Sequence, residues 1–352
     1  MGKGYWYNER GKTIMKIGMG LIGAGGWGAM HARTYASTKD VILRGVADTD
    51  SARARDLANR YGAAAYTDYR DLLKNDAIDA VAIVTPDFAH EDPALAAAAA
   101  GKHILAEKPL AMSVEACERI VKAAEQAGVK LMVDFHARWS PPLYKAYEAI
   151  RNGEIGTPQH VYYRLNDRIS VPTEMLSWAA KSTVMWFIGS HTIDTVRWLL
   201  GDEVRRVYAV SRTGILQAQG IDTPDYYQAT LEFRSGATAL IENSWILPNT
   251  APNLVDVKCE LVGSSGAIYI DASHNRALEK YTEDGGGYPD ILVMPTIYGQ
   301  QQGFAAESIR HFIDCVRGNR EPIVTGRDGL EVTKVICAIE DSVRTQQPVE
   351  LQ

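Results

Sequence analysis

Apolar positions along this chain follow two rhythms. From residue 14 to about 136, short unbroken apolar runs alternate with segments whose apolar residues recur at helical spacing. The runs Ile14–Ile22, Val41–Ala47, Ile78–Val84, His103–Ala106 and Val129–Phe135 have the length and two-sided hydrophobicity of buried parallel strands. Helix signals fill the gaps. A helix-compatible segment runs to about Ser37, and Ser51–Tyr61 stops at Gly62. Thr67 caps a short helix to Lys74, Pro93–Ala100 stops at Gly101, and Ser113 caps a helix that Gly128 ends. Such alternation requires a parallel sheet with helices on both faces. The alanine run 96–100 is too short to span a bilayer and reads as strong helix.

The rhythm changes after Ser140-Pro141-Pro142. A helix to Arg151 and a turn over 153–158 lead into the strand-like segments 159–165, 204–212, 226–233, 238–245, 255–262 and 267–270. Arg234-Ser235-Gly236 is a hairpin signal between two of them. One long helix, Thr183 to Leu200, interrupts the run. Consecutive strands predict an open, mostly antiparallel sheet. Asp284 opens a long loop to Gly303, a candidate lid, and helices over 304–317 and 329–344 close the chain. The fold class is therefore α/β: a doubly wound parallel sheet over 14–136, then a second α/β domain over 137–352. The C-terminal helices are candidates to pack back on the first domain.

The first strand leads into Gly23-Ala24-Gly25-Gly26-Trp27-Gly28, which fits G-x-G-x-x-G, and the second ends in Asp48, twenty residues after Gly28. Gly23 permits the tight turn, Gly25 the close approach of a pyrophosphate, and Gly28 close helix–strand packing. The helix start offers unpaired N–H groups and a positive dipole end to phosphate, and Asp48 offers a carboxylate to the ribose. In an open α/β sheet the binding crevice lies at the carboxyl ends of the strands, where Asp48, Thr85 and Lys108 all fall. NAD is the expected cofactor, with NADP as the alternative.

Composition works by exclusion. Lys and Arg number 37 against 43 Asp and Glu, a net charge of −6, which argues against nucleic-acid and anionic-membrane partners. The length of 352 residues suits two domains, each with its own core. Cys117, Cys259, Cys315 and Cys337 form no Cys-x-x-Cys or Cys/His cluster, so they read as free thiols of a reducing, cytoplasmic compartment. Residues 1–13 lack a signal-peptide core, and Trp6 breaks the myristoylation pattern.

The glycine turn, Thr85-Pro86 with His90, Glu107-Lys108-Pro109, Arg138 with Pro141, and Gly189-Ser190-His191-Thr192-Ile193-Asp194 occur in one chain. In this combination the chain resembles, over nearly its whole length, the glucose–fructose oxidoreductase, inositol dehydrogenase and rhizopine-catabolism family. The resemblance implies a Rossmann domain followed by an open α/β domain whose sheet mediates assembly into a homodimer or homotetramer. It implies cofactor contacts at Gly23, Gly25, Gly26, Trp27, Gly28, Asp48, Thr85, Pro86, His90, Glu107, Lys108 and Arg138. The implied reaction passes hydride between nicotinamide and a hydroxyl or keto carbon of a sugar, an inositol-like polyol or a glycoside.

Lys108 is the first catalytic candidate, since the family lysine contacts substrate hydroxyl and cofactor and assists proton transfer. His191 is the second. Asp194, three residues on, shares its helix face and is placed to orient the imidazole. No further ligand cluster accompanies His191 and Asp194, so no metal is expected. Many family members carry aspartate where this chain has Phe187, four residues before the histidine. Weaker substrate candidates are Arg164, Asp167, Trp178 and Lys181, with Trp186 and Arg168: aromatic rings cover the apolar face of a sugar and charged groups bind its hydroxyls. Trp198 is expected to pack against the sheet. Two alternatives stay open. One is redox-neutral, NAD-dependent glycoside cleavage; the other is a nucleotide-responsive sensor such as the yeast galactose repressor.

Overall fold

The computed structural model describes residues 5–7, 13–273, 277–283 and 285–351. His274, Asp284 and most of the segment before Thr13 lie outside them. The chain divides into two compact units: Met1–His136 with Leu292–Leu330, and Ala137–Ile291 with Glu331–Gln352.

The first unit is built on a six-stranded parallel sheet of β1 (Ile17–Ile22), β2 (Val41–Ala47), β3 (Ala64–Tyr66), β4 (Ala80–Ile83), β5 (His103–Ala106) and β6 (Leu131–Val133). The strands lie in the order β3-β2-β1-β4-β5-β6, the doubly wound arrangement with its switch point beside β1. All six residues of β1 are buried, as the unbroken apolar run demands. Its start differs from expectation. Thr13–Met15 pairs antiparallel with Tyr5–Tyr7, and the parallel strand begins at Ile17. β3 is a further addition: Ala64–Tyr66 is too short and too exposed to show apolar periodicity. The cap of the short helix also moves by one residue. Asp68, not Thr67, accepts the Arg70 N–H ahead of Tyr69–Leu73.

Register decides where the chemistry gathers. Ile22 pairs with Ala47 and Ile83, Ile83 with Ala106, and Ala106 with Val133. The turns that begin at Gly23, Asp48, Val84, Glu107 and Asp134 therefore leave the sheet along one edge.

The second unit carries a seven-stranded sheet: β7 (Pro158–Arg168), β8 (Val204–Arg212), β9 (Tyr226–Phe233), β10 (Thr238–Leu247), β11 (Val255–Gly263), β12 (Ala267–Asp271) and β13 (Val349–Glu350). Their order is β12-β11-β7-β10-β9-β8-β13, antiparallel throughout except for the parallel pair β7 and β10. The helix expected over 183–200 is divided. A π-helical turn, Met185–Gly189, runs directly into the α-helix Ser190–Leu200. That helix is fixed to the sheet by Asn243 of β10, whose Nδ2 donates to Thr192 Oγ1 at 2.8 Å and to Leu165 O at 2.9 Å. The segment expected as one long loop forms two small ribbons, 280–282 with 285–287 and 296–297 with 300–301. Trp198 stacks on Tyr147 of the helix Pro141–Arg151 at 4.5 Å, so its expected partner, the sheet, is replaced by a helix.

Candidate active site

In the first unit, the helix Gly26–Ala36 follows β1 after a turn in which Gly23 has φ +107°. A side chain at Gly28 would place its Cβ 2.2 Å from Gly23 O, so only glycine lets helix and strand approach this closely. At Gly25 and Gly26 the opposite holds: no atom lies within 4 Å of where a Cβ would stand. The helix N-terminus has no side-chain cap. An uncapped helix start beside an uncrowded glycine backbone fits a dinucleotide pyrophosphate. Asp48 binds this turn to the end of β2, accepting the Ala24 N–H and the Asp50 N–H, both at 2.8 Å.

Thr85, Pro86 and His90 form a brace at the ends of β4 and β5. His90 is buried, and its ring nitrogens lie 2.8 Å from Thr85 O and 2.7 Å from Pro109 O. Burial lowers the His90 pKa, while the Asp87 carboxylate and the two carbonyls oppose that shift. The ring expected at the nucleotide is thus engaged by the backbone that carries Lys108 and Pro109. Lys108 itself is half-buried on the same strand edge.

Glu107 is turned inward and is 5 % exposed. Its Oε1 accepts the Trp27 indole N–H at 2.6 Å and lies 2.9 Å from His31 Nε2. His31 Nδ1 is in turn 3.1 Å from the Tyr35 hydroxyl. Asp134, directly after β6, faces the same group and accepts a hydrogen bond from Ser308. One donor atom each of His31, Glu107 and Asp134 falls within 4.8 Å of the others. This His/Glu/Asp cluster escapes sequence reading because its members come from three elements. The one available signal is Trp27, His31 and Tyr35 at i, i+4, i+8, which places them on one helix face. His136 completes the surroundings, its ring 5.5 Å from Trp27 and 5.7 Å from Phe304. Burial drives the pKa of His31 to about 4 and that of His136 to about 3, so both rings are neutral.

In the second unit, His191 and Asp194 lie on the helix Ser190–Leu200, both buried. Arg138 meets Asp194 edge-on, with Nε–Oδ2 at 2.9 Å and Nη2–Oδ1 at 2.5 Å. Two of the sequence candidates are therefore each other's partners. The guanidinium expected at the nucleotide and the carboxylate expected at the imidazole form a buried bidentate pair. Phe187 sits on the π-turn with ring centroids 5.9 Å from Trp178 and 5.8 Å from Trp245. Trp245, which the sequence did not single out, donates its indole N–H to Asp167 at 3.2 Å. An aromatic corner with one buried carboxylate thus stands where the family usually has a carboxylate on the helix.

The weaker candidates separate. Strand alternation places Tyr163, Leu165 and Asp167 on one face of β7 and Arg164 on the other, where it pairs with Asp256 at 2.7 Å. Arg164 and Asp167 therefore lie on opposite faces of the sheet. Arg168 holds the loop between β10 and β11 through Asn253 O at 2.8 Å. Lys181 is exposed at the end of the short turn Ala179–Lys181. Trp186 is buried against Glu340, whose carboxyl is pushed up to about 7, mainly by burial. Cys117, Cys259 and Cys315 are buried free thiols and Cys337 is a half-buried one. No helix among the described residues is long and apolar enough to cross a membrane.

Comparison with known proteins agrees with this geometry. Residues 17–135 match the oxidoreductase family with an NAD-binding Rossmann fold, and residues 147–351 match that family's C-terminal α/β domain. The scyllo-inositol 2-dehydrogenase (NAD(+)) of Bacillus subtilis is 30% identical over 338 residues, covering 94% of this chain and 95% of its own. The inositol 2-dehydrogenase of Rhizobium meliloti is 30% identical over 341 residues, covering 96% and 100%. Among solved structures, GenD2 from gentamicin A biosynthesis, in complex with NAD, superposes with a TM-score of 0.86 at 25% identity, covering 96% of this chain and 97% of its own. With the glycine turn, Asp48 and the Glu-Lys-Pro segment on one sheet edge, the chain belongs to the NAD-binding Gfo/Idh/MocA oxidoreductase family.

Proposed function

We propose that this enzyme is an NAD-dependent dehydrogenase of an inositol-like polyol or a sugar, oxidising a secondary hydroxyl to a ketone. The observation that carries the proposal is the single strand edge that gathers the open glycine turn, Asp48 and Lys108. Two relatives at 30% identity are named as inositol 2-dehydrogenases, which supports dehydrogenation over glycoside cleavage or sensing. When bound, NAD accepts the hydride from the carbinol carbon. The protein's part is to hold the hydroxyl and take its proton. Lys108 is assigned to the hydroxyl and to proton transfer, and His191 is assigned as a proton acceptor, with Asp194 and Arg138 holding its helix. Phe187 and Trp178, both half-buried, offer an apolar wall to the C–H face of a ring, backed by the buried pair of Trp245 and Asp167. Positioning of the reacting groups supplies much of the rate. A screen of inositols, sugars and other polyols with NAD, read at nicotinamide absorbance, is expected to show reduction with at least one polyol. Release of a leaving group without net reduction would overturn the assignment.

NAD is expected to bind more tightly than NADP. The Asp48 carboxylate repels a 2′-phosphate, and the first arginine after it in sequence, Arg53, is paired with Asp50 at 3.4 Å. Titration of both nucleotides tests this; tighter NADP binding would show that an arginine overrides Asp48.

Assembly and location belong to the same proposal. Tyr208, Thr230, Leu240, Tyr162, Glu260 and Tyr269 pair laterally into one row across six strands, and all but half-buried Tyr162 are exposed. Such a mixed aromatic and apolar row on an open sheet supports a homodimer or homotetramer through this face. The free thiols support a reducing cytoplasm.

A further inference from the structure

Behind Lys108 lies more ionisable chemistry than the reaction uses. His31 and Asp134 are 0 % exposed, Glu107 is 5 % exposed, and each reaches into one shared space. The hydrogen bonds fix much of the protonation. Glu107 Oε1 receives the Trp27 N–H and faces His31 Nε2, so it is the acceptor of the group. With its proton on Nε2, neutral His31 accepts at Nδ1 from the Tyr35 hydroxyl, which satisfies both ring nitrogens. Asp134 accepts from Ser308 at Oδ1. Its Oδ2 is buried with no hydrogen-bond partner. An ionised oxygen left bare in a dry interior is strongly disfavoured, whereas a protonated one becomes a donor to the neighbouring carboxylate.

We infer that Asp134 and Glu107 share one proton, and that this pair is a positioning device for Lys108, setting a single negative charge on Glu107 immediately behind it. Asp134 is the acid of the pair, and Glu107 is the carboxylate. The backbone holds the arrangement, since the Asp134 N–H donates to Ala106 O at 2.8 Å and the Glu107 N–H to Ile83 O at 2.9 Å. The groups facing the pair are His31, Tyr35 and Trp27 from the first helix, Lys108 and His136 from the strand ends, and Ser308 from the helix Phe304–Gly318. Burial first, and then the Glu107 charge, raise the Asp134 pKa well above its ordinary value; burial also raises that of Glu107, against the pull of Lys108. A carboxyl with a raised folded pKa contributes stability fully present below its unfolded value, lost as pH rises towards its folded value. Asp134→Asn removes that loss, so its stability relative to wild type increases with pH.

The role of Lys108 rests on the proposed dehydrogenase reading, and the test separates the two. The first measurement needs no substrate. Infrared spectra of the whole protein at neutral pH are expected to show an un-ionised carboxylic acid band that is lost in Asp134→Asn, distinct from any contribution of Glu340. The second uses turnover. Asp134→Ala is expected to lower kcat by about tenfold, the worth of one net hydrogen bond, with KM little changed, and Asp134→Asn to rescue it. Glu107→Gln is expected to displace the pH–rate profile to lower pH, because a neighbouring negative charge is gone. Three results would overturn the inference: no carboxylic acid band assignable to Asp134, a wild-type kcat in Asp134→Ala, or one equivalent of bound metal that Asp134→Ala loses. Absence of polyol turnover in the wild-type protein, with the infrared band present, would count against the substrate class alone.

Discussion

Lys108→Ala is expected to abolish turnover while leaving NAD affinity nearly unchanged. Lys108 leaves the end of β5 in the same row as the glycine turn, but it is not part of that turn. The groups proposed to hold a dinucleotide, namely the open backbone at Gly25 and Gly26, the helix start and Asp48, follow β1 and β2. Removing the ammonium therefore leaves the pyrophosphate and adenosine contacts in place and deletes the group assigned to the reacting hydroxyl. The loss in kcat should be at least the roughly 10²–10⁴-fold worth of a positioned acid–base group. Structural damage should be small, because a half-buried lysine is replaced and the His90 brace to Pro109 O remains. The checks are calorimetric NAD binding and steady-state kinetics on the same preparation. Unaltered turnover would refute the assignment, and a large loss of NAD affinity would move Lys108 from the reaction to the cofactor.

Comparable losses are expected at His191. Replacement by alanine should lower kcat by roughly 10²–10⁴-fold if the imidazole is the principal proton acceptor. Asp194→Asn is expected to act differently from the simple orienting carboxylate suggested by i, i+3 spacing. Asp194 is 0 % exposed and bound edge-on by Arg138. The substitution would leave a buried guanidinium without its counter-charge, a change that typically costs about 3–5 kcal/mol. Its signature should be a drop in thermal stability alongside reduced turnover, whereas His191→Ala should retain stability. Phe187→Asp tests the departure from the family. The ring stands between Trp178 and Trp245 at a half-buried position, and a carboxylate there would lose that packing and be partly desolvated, a polar cost of about 1–3 kcal/mol. Reduced activity and stability are expected. A gain in dehydrogenation would show that the usual aspartate is merely missing here and that the aromatic corner has no role of its own.

The sequence by itself determined the first unit's parallel sheet, five of its six strands and the row of turns that end them. These features are local and periodic: unbroken apolar runs of strand length, helix caps such as Ser113, and glycines demanded by backbone geometry. It also placed Asp48, Thr85 and Lys108 on one edge, because parallel strands in register must release their next residues side by side. What it could not determine was pairing between side chains. Arg138 and Asp194 are 56 residues apart; Arg138 was expected at the nucleotide and Asp194 at His191, and only the fold brings the two together in bidentate geometry. Asp134 and Ser308 carried no signal and His31 only its helical spacing with Trp27 and Tyr35, since a carboxylate after a strand and a histidine on a helix are ordinary until burial brings them together. Sequence likewise could not place Phe187 between two tryptophans, one of them Trp245 on a strand nearly sixty residues later. Nor could it insert β7 beside its parallel neighbour β10. Spacing along the chain encodes backbone conformation, while the charge state and company of a side chain depend on what distant segments exclude water around it, and that is decided only when the chain has folded.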